Sequence, residues 1–219
     1  MKTLPLFLAL LMLSSAVLWA QQPQVPSMQK GKQILFDFRQ DRTGKSTRIP
    51  AATQRMVLSK VFRRYLTDDK KCAADFPQTE DSYLASARKA GQIVPTIGDS
   101  VTGSFTATGQ NQTAYVIWTY ECGASHADNY GSKRVAIFSG QQLVADLDAD
   151  FKSGIVRKTD LNSDGIDELL MTNGDMAQGV VIEVAALVEF RNCRMRVVED
   201  FGTVVEDSCG AAFSGSSSK

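Results

Sequence analysis

The stretch Asp160-Leu161-Asn162-Ser163-Asp164-Gly165-Ile166-Asp167-Glu168 carries an oxygen-bearing side chain at every second position, then a glycine, then a closing acid. That is a donor pattern for a hard cation, Ca²⁺ above all, which takes many oxygens and tolerates irregular geometry. Asp160, Asn162 and Asp164 stand at the first, third and fifth loop positions. Gly165 permits a turn that a residue with a Cβ would resist. Beyond it the carbonyl of Ile166 can point inward, and Glu168 at the ninth position can supply the last carboxylate, with Asp167 facing out. An EF-hand needs a bidentate glutamate at the twelfth position, where this chain has Met171. The flanks 155–158 and 169–172 also read as strands rather than helices. The unit is strand, acidic loop, strand.

Asp160, Asn162, Asp164, Gly165 and Glu168, followed by the apolar Leu169 and Leu170, resemble the FG-GAP repeat of integrin-type β-propellers and related exported proteins. The resemblance covers the loop and the following strand and is loose elsewhere. It implies Ca²⁺ held between two strands of one blade. A second copy aligns upstream without a gap: Ser104 falls on Asp160, Thr106 on Asn162, Thr108 on Asp164, Gly109 on Gly165 and Gln112 on Glu168. There every charged ligand position carries a neutral hydrogen-bonding group, so that loop can close on its own backbone with no ion. The spacing suits a β repeat unit. Two bland readings stand beside these. Asp, Asn and Gly favour turns without any metal, and chance alone places Gly, Ser and Thr in turns. Asp146-Leu147-Asp148-Ala149-Asp150 alternates acids too, but Phe151 takes the place of the glycine, and an exposed turn is expected there.

The rest of the chain bounds the setting. Lys2, an apolar run at 4–13 and Ala20 before Gln21 read as an export signal over 1–20, too short to span a membrane. No cysteine follows the run, so a lipoprotein anchor is not supported. An exported protein, periplasmic or extracellular, is expected. Cys72, Cys122, Cys193 and Cys209 then suggest two disulfides, with three connectivities open. Cys193–Cys209 is favoured because both flank a hairpin pair, and Cys72–Cys122 remains. Zinc is disfavoured by the absence of Cys-x-x-Cys spacing and by a single histidine. Lys plus Arg and Asp plus Glu both number 24, which argues against a nucleic-acid binder with a basic face.

The fold class expected is α+β: a mostly helical region over 21–92, an antiparallel β domain over 93–210 and a disordered tail over 211–219. Pro50 opens a helix whose apolar face is Leu58, Val61, Phe62, Tyr65 and Leu66, with Arg55, Lys60, Arg63 and Arg64 mostly off it. Such a basic helix can bind acidic partners or anionic membranes, and more often has a solvated basic side. A second helix is expected over 80–90, capped by Thr79 and stopped by Gly91, with Leu84, Ala87 and Ala90 inward. Candidate strands are 104–106, 114–120, 134–138, 142–145, 155–158, 169–172, 180–184, 186–190, 194–198 and 204–206. Turns are expected at Ser139-Gly140, Asn173-Gly174 and Arg191-Asn192. Two repeat units are too few for a closed propeller. The β domain is thus blade-like and irregular, or a sandwich.

Catalytic signals are thin. His126 lies in Cys122-Gly123-Ala124-Ser125-His126-Ala127-Asp128, but neighbours in sequence do not make a triad, and no G-x-S-x-G elbow or phosphate loop exists. Tyr115, Trp118 and Tyr120 could offer an aromatic face to sugar or peptide, though strand aromatics are more often core. The function expected is an exported calcium-binding β protein with a structural ion, acting by binding or scaffolding on a protein or glycan partner. The rival is a secreted hydrolase with its site in the β domain.

Overall fold

Residues 114–117 and 135–138 are unbroken apolar runs of strand-forming types, the mark of strands buried on both faces. They lie at the centre of the first of two sheets. The computed structural model describes residues 36–38, 48–73, 83–122, 132–149, 152–177, 179–192 and 194–209. The chain divides into Met1–Leu35 and Phe36–Lys219, and all described residues belong to the second unit. The expected signal over 1–20 and the whole tail over 211–219 lie outside them, as do His126, Cys193 and Asp150.

Among the described residues two short helices come first, α1 (Ala51–Val61) and α2 (Tyr83–Ala90), with a 3-10 turn at Asp69–Lys71 between them. Then follow β1 (Ile93–Gly103), β2 (Gln112–Glu121), β3 (Ser132–Ser139) and β4 (Gln142–Asp148). A second set repeats the plan: β5 (Gly154–Thr159), β6 (Glu168–Ala177), β7 (Val180–Arg191) and β8 (Arg194–Asp207). Each set is a four-stranded antiparallel meander in chain order. The molecule is mainly antiparallel β with few helices.

Strand alternation divides the core. From the first sheet, Ala114, Val116, Val135 and Ile137 face the second sheet, meeting Ile155, Leu169, Met171, Val188 and Phe190. Tyr115, Ile117, Ala136 and Phe138 point the other way, onto Val57, Leu58 and Phe62 around α1 and Ala87 of α2. The helices thus cover one face of the first sheet and the second sheet covers the other. A disulfide joins Cys72, just past the 3-10 turn, to Cys122 at the end of β2. Cys209 is exposed.

Several expectations need correction. α1 ends at Val61, and Phe62 is extended; Tyr65 and Leu66 leave the helix because the Leu66 N–H is drawn to the Ile93 carbonyl. Of the expected inward face of α2, Ala87 is buried and Ala90 is exposed, and the Leu84 side chain lies outside the described residues. Residues 104–106 are loop, not strand. The strand before them, β1, is disguised by Pro95, Gly98 and Asp99. Asn173-Gly174 is no turn but the middle of β6. The pairs 180–184 with 186–190 and 194–198 with 204–206 are each a single long strand, β8 being broken in register by bulges. Asp146 and Asp148 lie in β4, where Asp146 accepts a hydrogen bond from Arg134. Tyr115 is core, whereas Trp118 and Tyr120 are about half exposed, at 48% and 46%.

Candidate metal centre

The acidic loop joins β5 to β6, and its counterpart, 104–111, joins β1 to β2. The two loops, 56 residues apart, share the glycine turn and the closure made by the ninth position. Gly165 and Gly109 both take positive φ, +80° and +69°, where a Cβ would be strained. Glu168 and Gln112 open the following strands, and each is only 3% exposed. Gln112 Oε1 accepts from the N–H groups of Phe105 and Thr106 at 2.9 and 3.0 Å, and its Nε2 donates to Thr106 Oγ1 at 2.6 Å. In the second loop Glu168 Oε2 accepts from the Leu161 N–H at 2.9 Å, and Glu168 Oε1 accepts from Asn162 Nδ2 at 3.3 Å. The same closure is thus made once with neutral groups and once with a carboxylate.

The other predicted ligands close the turn. Asp160 accepts from the N–H groups of Asp164, at 3.1 Å, and Gly165, at 2.9 Å. Asn162 Oδ1 accepts from Asp164 N–H, and Asp164 Oδ1 from Ile166 N–H, both at 2.9 Å. Asn162 Nδ2 also donates to Asp164 Oδ2 at 3.1 Å. Burial pushes the Glu168 carboxyl above its ordinary range, against the pull of the Leu161 N–H, and the neighbouring Asp164 and Asp160 push it further. Asp167 faces the first loop, its Oδ2 accepting from the Ser104 N–H at 2.7 Å, with Lys158 Nζ at 3.4 Å.

Three residues outside the motif complete the charge balance. The Arg191 guanidinium, at the end of β7, donates to Asp164 Oδ2 and reaches Glu189 Oε2 at 3.0 Å. Glu189 is buried, and Arg196, opposite it across the hairpin, holds its other oxygen. The sequence signal for this network is slight: a glutamate and an arginine two apart on one strand face, with an arginine across the turn.

The donor set of Asp160, Asn162, Asp164, the Ile166 carbonyl and Glu168 is all oxygen with three carboxylates, chemistry that fits a hard divalent cation. The side chains are turned to bond one another and Arg191. Among the described residues no three His, Cys, Asp or Glu side chains converge as a metal-holding group.

The two loops also dock on each other. Asp167 N–H donates to the Ser104 carbonyl at 2.7 Å, and Thr108 Oγ1 to the Asp164 carbonyl at 3.2 Å. At the other end of the seam Asp99 Oδ2 accepts from the Ile155 N–H at 3.0 Å. These contacts at both ends run β1 and β5 side by side in the same direction. Compared with known proteins, the chain matches no protein-family model, no curated protein and no solved structure.

Proposed function

We propose that this is an exported β protein whose acidic loop binds Ca²⁺ structurally, and that it serves as a binding or scaffolding module rather than a catalyst. One observation carries the reading. The loop at 104–111 closes with neutral groups, so closure does not require charge, yet its counterpart gathers Asp160, Asp164 and Glu168 around the same turn. Three carboxylates around one turn, one of them buried, carry an electrostatic cost that the neutral loop avoids. A divalent cation relieves it, and the all-oxygen set suits Ca²⁺. The side-by-side first strands of two like meanders support a blade-like arrangement of FG-GAP type. The Cys72–Cys122 disulfide, and the absence among the described residues of a helix long and apolar enough to cross a membrane, are compatible with export.

The test is a thermal melt of the oxidised protein in EDTA and then in millimolar Ca²⁺, beside the variant Asp160→Asn/Asp164→Asn/Glu168→Gln, which copies the neutral chemistry of the first loop. A ligand that binds only the native state raises its midpoint by mass action. Calcium should raise the midpoint of the wild type and leave the variant unmoved. An unchanged wild-type midpoint would remove the calcium reading and leave the loop as a turn.

A further inference from the structure

The C-terminal ends of α1 and α2 meet. Phe62 caps α1 with a buried side chain, and the Arg88 guanidinium from the last turn of α2 lies over that ring, 5.5 Å from its centre. Gly91, which follows α2 at φ +74°, packs so near Arg64 that an added Cβ would come within 2.8 Å of the Arg64 Cβ. At this junction is a cavity of about 280 Å³, lined among the described residues by Arg63, Arg64, Arg88 and Lys89. Among those residues none of the four closes an ion pair.

Helix ends account for part of this charge. A helix C-terminus carries roughly half a negative elementary charge, so two ends answer about one of the four cations. On its inward side Arg88 faces Glu121, Asp146 and Asp148, with Arg134 among them. Asp146 is already taken by Arg134, and Glu121 accepts the N–H and hydroxyl of Ser132. Burial, with Arg134 adding to it, holds Arg88 below the ordinary guanidinium range. Arg63, Arg64 and Lys89 stand exposed around the opening. The chain as a whole has no net charge, so this concentration of positive charge is local.

We propose that this hollow is an anion site for a phosphate-type oxyanion, held by Arg63, Arg64, Arg88 and Lys89. Guanidinium groups present forked donors that match the oxygens of such an anion two at a time, which ammonium groups do not. The cavity has room for the oxyanion together with the group that carries it. Arg88, braced on Phe62, is the fixed donor, and the exposed three close around the ligand.

Calorimetric titration of the oxidised full chain with sodium pyrophosphate, and flotation with vesicles of phosphatidylcholine alone or mixed with phosphatidylglycerol, test this and separate a free oxyanion from a lipid headgroup. Saturable pyrophosphate binding that weakens as salt is added, and weakens about tenfold in Arg63→Gln/Lys89→Gln, supports the site with a free anion. Binding to the anionic vesicles that the same variant loses supports it with a headgroup. Both substitutions are at exposed positions, and an unchanged melt of the variant shows that the fold is kept. Arg63→Lys, which keeps the charge but loses the fork, should bind more weakly than wild type and more tightly than Arg63→Gln. No saturable binding in either arm, or equal binding by wild type and the double variant, overturns the proposal.

Discussion

Thr119 lies in β2 among residues that face the helices, and its Oγ1 is buried with no hydrogen-bond partner among the described residues. A hydroxyl left so forfeits its hydration and gains nothing in return. Thr119→Val keeps the shape and removes the cost. It should stabilise the protein by about 1 kcal/mol, read as a midpoint rise of about 2–4 °C in a chain of this size; a lower midpoint would mean that the hydroxyl is bonded after all. Glu168 carries a related cost in charged form. Burial and its acidic neighbours raise its folded-state pKa, so the native state binds a proton more readily than the unfolded chain. Stability contributed by this group therefore falls as pH rises from the ordinary glutamate pKa through the raised one, and returns on acidification. Glu168→Gln, which can keep the acceptor for Leu161 N–H, should be more stable than wild type at neutral pH in EDTA. The gap should close as the pH is lowered. A gap that stayed constant with pH would show that charge is not the cause.

At the scale of elements, what could be read in the chain was what local chemistry decides. The alternating acids and Gly165 identified a turn with inward oxygens, and that turn is present with Glu168 buried and Asp160 closing it. The neutral loop at 104–111 was legible as its counterpart because glutamine and threonine keep the hydrogen-bond geometry while losing the charge. What escaped reading depends on partners distant in sequence. β1 contains Pro95, Gly98 and Asp99, poor strand residues individually, and is held by pairing with β2 and by the Asp99 contact to Ile155. Asn173-Gly174 has turn chemistry, but pairing with Val184 and Glu183 overrides it. Arg191 was invisible as part of the site because only the pairing of β7 with β6, Val188 against Leu169, brings it to Asp164. It acts there as an internal counter-cation. Arg191→Gln should lower the midpoint in EDTA, by about 1–2 kcal/mol in stability for the loss of a charge-assisted pair, and enlarge the rise produced by Ca²⁺. An equal rise in both proteins would deny Arg191 any role at the loop.

On the scale of the whole molecule, two meanders of the same plan are joined by one apolar core and one polar seam. The first is covered on both faces; its helices and the second sheet divide its alternating side chains between them. The core residues of the two sheets belong to one cluster, with Phe105 of the first loop edge-on to Phe190 of β7. The face that each sheet turns to the other is buried only while both are folded, so unfolding should be a single cooperative transition. The Cys72–Cys122 bridge fastens the helical layer to the end of β2 across 50 residues. By the loop-entropy relation, closing a loop of that length restricts the unfolded chain by about 4 kcal/mol. Cys72→Ser/Cys122→Ser should therefore shift the one transition downward by roughly that amount, without splitting it, in urea melts followed by tryptophan fluorescence and far-ultraviolet dichroism. Trp118 reports on the seam, since its Nε1 donates to the Ser153 carbonyl. Noncoincident curves from the two probes would mean that the sheets come apart before they unfold, and that the shared core is weaker than its burial implies.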